Sequence, residues 1–205
     1  MKIGIDVRKI DDYGIGTHIR NLVLPAALQA KDHQFYLFHD ASQIPAVDAS
    51  FHLIPESAAK YSLREHFSLA RKAKGLGIEL FHSPHYTLPL RLEGRCVVTV
   101  HDLIHIKFAE YFPKWKVQAA RYVLRRAVQK SEKVIVVSET TKRDLVDWMP
   151  EAESKIRVIY NRISPEWFEP AERINLAHLG LPSEFLLYTG NFKKHKAIDL
   201  LVDSY

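Results

Sequence analysis

Gly94-Arg95-Cys96-Val97-Val98-Thr99-Val100-His101-Asp102-Leu103-Ile104-His105 is the stretch on which the reading of this chain turns. Cys96 to Val100 is a short apolar, β-branched run of the kind that fills a buried parallel strand, and it breaks at once into His101 and Asp102, with His105 close behind. Open α/β sheets place their ligands beyond the carboxyl ends of the strands, so His101 and Asp102 stand where a site is expected. The structural alternative is an Asp that caps the next turn and a His bonded to backbone.

Outward from this strand, the chain alternates. Strands are expected at Lys2–Val7, Gln34–His39, Phe51–Ile54, Ile78–Phe81, Lys133–Val137 and Ile156–Tyr160. Helices are expected at Thr17–Ala30, Tyr61–Lys74 and Pro113–Lys130, with another starting at Ser138. Alternation of this kind argues for an α/β domain, a Rossmann-like parallel sheet flanked by helices. Proline suits the start of the helix at Pro113. Its apolar stripe reads as Trp115, Ala119, Tyr122, Val123 and Ala127. Ser138 is either a helix cap or a ligand contact.

Polar and aromatic residues gather at the strand ends. After the first strand, Gly14-Ile15-Gly16 lead into a helix whose N-terminus suits a phosphate. Ile19 occupies the third glycine position of a dinucleotide fingerprint and the preceding loop is too long, so nicotinamide cofactors are disfavoured. The alternative is that Gly14 and Gly16 only serve a turn. After the strand at Ile78–Phe81 comes His82-Ser83-Pro84-His85-Tyr86, in a loop stiffened by Pro84 and Pro89 as a fixed wall of a site would be. Lys60, Arg64, Arg71, Lys72 and Lys74 make the helix at Tyr61–Lys74 basic and amphipathic. Either they are a solvated face or they lie on an anionic membrane.

The totals narrow the classes. The 205 residues carry a net charge of +5, 47% hydrophobic residues and one cysteine. Such a chain buries a core and forms no internal disulfide, and a cytoplasmic setting follows, with peripheral attachment to the inner membrane face as an extension. The charge suits a phosphorylated ligand or an anionic membrane. No zinc spacing, aromatic RNA signature or basic arm is present to favour nucleic acid. Asn161 to Pro170 has the composition of a linker. Residues 1–165 are therefore expected to form one complete domain. Residues 166–205 should hold a linker, a strand at Glu184–Thr189 and a helix from Lys196 to Tyr205, opening a second domain whose remainder is absent.

These motifs follow one another as in family-four glycosyltransferases. Ile3-Gly4-Ile5-Asp6, Gly14-Ile15-Gly16, Leu80-Phe81-His82-Ser83-Pro84, Val98-Thr99-Val100-His101-Asp102-Leu103, Val134-Ile135-Val136-Val137-Ser138-Glu139 and Tyr188-Thr189-Gly190-Asn191-Phe192-Lys193-Lys194-His195-Lys196 carry the resemblance over nearly the whole chain. It is similar in particular to the bacterial subgroup that includes mannosyltransferases of polysaccharide assembly. The resemblance implies a GT-B fold, with an acceptor-binding first domain and an incomplete second Rossmann-like domain for a nucleotide-diphosphate sugar. It also implies retaining transfer to a glycan or lipid-linked acceptor, with no metal and no cofactor.

By the same resemblance, His101 contacts the transferred sugar, with Asp102 beside it, and His82, Ser83, His85 and Tyr86 are acceptor-binding candidates. Gly14 and Gly16 fall near the donor phosphates, and Asn191 and Lys196 fall on the diphosphate site. Three departures stand out: Asn191 replaces a usual arginine, Asn161-Arg162 replaces a usual Asn-Gly, and the family's paired glutamates would lie past Tyr205. The competing functions are a GT-B-like nucleotide-sugar epimerase or hydrolase, and a non-catalytic module that holds an acceptor or a membrane.

Overall fold

In a computed structural model that describes residues 1–60, 62–89, 91–170, 180–182, 184–190 and 192–205, the strand at the centre of the motif reading, β5 (Arg95–Val100), lies inside a parallel sheet. The other strands are β1 (Lys2–Asp6), β2 (Gln34–Asp40), β3 (His52–Glu56), β4 (Leu80–Ser83), β6 (Lys133–Val136) and β7 (Ile156–Val158). Their order is β3-β2-β1-β4-β5-β6-β7 and every pairing is parallel. The chain winds outward from β1 to β3, then returns and winds the other way from β4. The crevice between the carboxyl ends of β1 and β4 is therefore the topological switch point.

Helices cover both faces. On one, α3 (Leu63–Leu76), α5 (Lys114–Lys130) and α6 (Glu139–Trp148) pack on Phe38, Phe81, Cys96, Val98, Val134 and Val136. On the other, α1 (Tyr13–His18), a π-helical stretch (Ile19–Val23) and α2 (Leu24–Gln29) run on without a break and bury Ile19, Val23, Leu24 and Ala27 against Ile3, Ile5 and Leu37. A one-turn helix, α4 (Ile104–Lys107), follows β5. No described helix is long and apolar enough to cross a membrane.

Three expectations are corrected. The first helix starts at Tyr13 rather than Thr17, so Gly14 and Gly16 belong to its first turns and not to a loop. Gly16 is needed there because a Cβ would run into the backbone carbonyl of Ile10, whereas Gly14 faces open space. The buried stripe of α5 is Val117, Leu124, Ala127 and Val128, and Trp115, Ala119 and Tyr122 point outward. Apolar residues lie all round that helix, and the sheet takes the branched side rather than the aromatic one. Glu184–Thr189 forms no strand, while α7 (Ile198–Asp203) lies within the helix expected there. Burial pushes the Cys96 thiol up, in keeping with its place in the core.

Candidate active site

The β1–α1 connection is held from beneath by a buried ion cluster. Arg8 donates to both carboxylate oxygens of Asp6, at 2.8 and 2.7 Å, and to Glu65 of α3 at 3.0 Å. Burial works against the guanidinium charge, but the two carboxylates more than offset it and hold Arg8 protonated above its ordinary range. Lys9, also buried, lies 3.8 Å from Asp12, and Lys60 donates to Asp12 at 3.1 Å. The loop before Gly14 is thus fixed by charge-assisted bonds.

Across the crevice, His101 leaves the end of β5. Its Nε2 lies 2.9 Å from the carbonyl oxygen of Pro84, an acceptor only, so Nε2 carries the proton and Nδ1 the lone pair. The His101 carbonyl accepts a 3.1 Å bond from the Thr141 hydroxyl. Thr141 is in turn set by Ser138, which caps α6 by accepting the Thr141 amide at 3.0 Å. Ser138 is thus a cap, and it fixes His101 through one intermediary. Asp102 is exposed and accepts the Ile104 amide at 3.1 Å, which holds the turn after β5.

The end of β4 and the loop after it supply the facing wall, and His82 and Ser83, expected in that loop, are the last residues of the strand. His82 lies 3.1 Å from the Thr99 hydroxyl, and Ser83 is buried and donates to the Thr87 carbonyl at 2.9 Å, closing the loop on itself. His85 stacks on Tyr86 with centroids 4.1 Å apart. Desolvation lowers the pKa of His82 to about 3, helped by the nearby imidazoles of His18 and His101. Burial also lowers His85 well below the usual imidazole value, and His101 below it, with Lys9 acting on both in the same direction. The wall therefore presents neutral imidazoles, which can both donate and accept hydrogen bonds without charge.

Two side chains here were given no place in the site by the sequence, although Asn161 stood out in the Asn161-Arg162 turn. His18, on α1, is 1% exposed, and its ring meets that of His101 edge-on at 5.0 Å and 86°. Its Nδ1 lies 2.8 Å from the carboxamide oxygen of Asn161, just past β7. His18 and His82 also line an apolar groove of about 330 Å³ with Leu22, Val97 and Ile135. Among the described residues no His, Cys, Asp or Glu set is arranged to hold a metal ion.

The structure thus gathers His82, His85, Tyr86 and His101, with Lys9, at one end of the sheet. Gly14 lies exposed on α1, and Gly16 is buried beneath it. Lys196 is exposed on a single 3-10 turn, Lys194–Lys196, and Asn191 lies outside the described residues. On α3 the expected basic face divides. Lys60, Lys72 and Lys74 are paired with Asp12, Glu56 and Glu93 at 3.1, 3.2 and 3.0 Å. Arg64 and Arg71 have no ion-pair partner among the described residues. With Lys72, Lys74 and Arg91, which lies over the Phe67 ring at 5.1 Å, they line an open groove of about 670 Å³.

A family model described as Glycosyltransferase Family 4 matches residues 13–167. Among solved structures, HepE of Anabaena in complex with UDP-glucose aligns with a TM-score of 0.54 at 13% identity, over 83% of this chain and 46% of its own. The same protein with UDP and glucose aligns at 0.52 and 14%, over 83% and 47%. A glycosyltransferase from Rickettsia africae aligns at 0.49 and 16%, over 89% and 50%. At such identities the likeness to HepE is one of fold. The chain spans about half the length of these structures, and no curated protein matches it in sequence.

Proposed function

The chain belongs to glycosyltransferase family 4, and on that premise we propose that it holds the acceptor-side domain of a retaining, metal-independent hexosyltransferase. The donor is a nucleotide-diphosphate sugar, with a mannosyl donor in line with the subgroup the sequence resembles, and the acceptor is a glycan or lipid-linked sugar of polysaccharide assembly. HepE, of like fold, has been captured with UDP-glucose, which supports a donor of this class. Residues 1–165 form the acceptor domain in this reading, and residues 166–205 lead into the domain that holds the nucleotide.

The observation that carries the reading is His101, held at both its ring and its carbonyl at the carboxyl end of β5, and we assign the lone pair on its Nδ1 to a ligand hydroxyl. In retaining transfer, positive charge develops on the sugar ring and negative charge on the departing diphosphate. His101 orients the sugar as an acceptor of a hydroxyl hydrogen, and His82, His85 and Tyr86 form the acceptor wall. Asp102 keeps the His101 turn in shape. Gly14 gives the donor phosphates close approach, and Lys196, together with Asn191 by the sequence resemblance, meets the diphosphate once the second domain closes over the crevice.

The test is His101→Ala in the complete enzyme at saturating donor and acceptor. The expected result is a fall in kcat of roughly 10²-fold with nucleotide affinity unchanged, because the interaction matures at the transition state. Wild-type kcat with the fold intact would remove His101 from the site. Lys196→Ala should instead weaken both donor and free nucleoside diphosphate.

A second surface supports attachment to the inner face of the membrane. Arg64, Arg71 and Arg91 are free to meet lipid phosphates, and Leu63 and Phe67 beside them are 75% and 49% exposed. Cationic heads next to exposed apolar side chains on one helix are the chemistry of an interfacial contact.

A further inference from the structure

We propose that His18 is a positioning residue for His101, and that Asn161 sets it. The inference deepens the transferase reading and rests on it, because it assigns a second residue to the same site. Four observations converge. The His18 ring meets the His101 ring edge-on at 5.0 Å. Its Nδ1 faces the Asn161 carboxamide oxygen at 2.8 Å, so Nδ1 carries the proton and Nε2 the lone pair. That Nε2 is buried with no hydrogen-bond partner among the described residues, an unfavourable state that a merely structural histidine in an apolar groove would relieve by replacement with leucine or phenylalanine. The π-helical stretch begins at the next residue, Ile19, and departures of that kind from α-helical winding recur at functional sites.

The contacts form a chain with a direction. Pro84 fixes the Nε2 end of His101, and Thr141 fixes its carbonyl. Neither contact prevents the ring from rocking about the Nε2 bond. His18 blocks that motion by presenting its edge, and it can do so only while Asn161 holds its own Nδ1. Asn161 is exposed on the segment that leaves β7, so the path of that segment is transmitted through His18 to the orientation of the His101 ring. The Asn-Arg sequence that departs from the usual Asn-Gly at this turn keeps the member that matters, the asparagine.

The experiment has a spectroscopic arm and a kinetic arm. In the 205-residue protein labelled with ¹⁵N-histidine, imidazole shifts should show His18 protonated at Nδ1 and His101 at Nε2. Asn161→Ala, at an exposed position that leaves the core intact, should move His18 toward the Nε2–H tautomer and broaden or shift the His101 ring signals. His18→Leu should alter the His101 signals further, and His18→Phe, which restores a ring edge without the Asn161 bond, should recover them in part. In the complete enzyme, His18→Leu should lower kcat about tenfold with donor KM unchanged, on the scale expected for a misplaced reacting group. Unchanged His101 tautomer and titration in both Asn161→Ala and His18→Leu would overturn the proposal, as would a loss of donor affinity at constant kcat. If His101→Ala left turnover intact, the assignment of the site would fail instead, and the ¹⁵N spectra would still decide whether His18 sets the His101 ring.

Discussion

Four histidines on the crevice wall, His18, His82, His85 and His101, are all held below the ordinary imidazole value, in each case first by burial. The unfolded chain binds protons that these rings refuse in the fold. Stability therefore rises with pH through the unfolded value near 6.5 and is lost as pH falls from there toward the His82 value of about 3. Urea unfolding at pH 7.5 and pH 5 should show a clear loss at the lower pH, in a window where few carboxylates titrate. His82→Gln should flatten that dependence, and an unchanged slope would mean that His82 is solvated. His101 was legible in the sequence because an apolar strand ended on it. His18 was not, since a histidine inside a helix breaks no pattern, and its partner Asn161 lies 143 residues away.

Among the elements, the β1–α1 connection depends on Arg8, which balances two buried carboxylates. Arg8→Ala removes the guanidinium that bridges the buried carboxylates of Asp6 and Glu65, and should cost about 3–5 kcal/mol in denaturant unfolding. A cost under about 1 kcal/mol would show that water replaces the guanidinium. For α3, anionic vesicles should bind the protein in a manner that weakens with salt, and Arg64→Ser with Arg71→Ser should remove roughly 1 kcal/mol each. Lys72 and Lys74, already paired, should matter less, and salt-independent binding or none would leave a solvated face. The basic character of α3 was readable from its residue types, but which cations were spent on Asp12, Glu56 and Glu93 was not, because those partners lie on other elements. On α5 the sequence offered two apolar sides, and only the packing of the sheet chose between them.

For the molecule as a whole, alternation of strands and helices was enough to anticipate a parallel sheet, since each crossover leaves few other arrangements. The switch point was not readable, because strand order depends on which edge β4 joins. In the proposed reading the nucleotide is held by groups outside residues 1–165, so this 205-residue chain should release nucleoside diphosphate from a nucleotide sugar at a negligible rate beside the complete enzyme. Turnover at an ordinary enzymatic rate would overturn that division of labour.

The place of β1 in the sheet has a consequence for how the chain is made. Its second neighbour is β4, with Ile3 opposite Leu80 and the Lys2 amide bonded to Glu79, 77 residues later. At a synthesis rate of roughly 5–20 residues per second, that partner leaves the ribosome roughly 4–15 s after β1 does. Through that interval β1, β2 and β3 can pair with one another, but one flank of β1 presents open amides and carbonyls to any strand nearby. An interior strand of the finished sheet is thus, for part of each chain's synthesis, an unprotected edge.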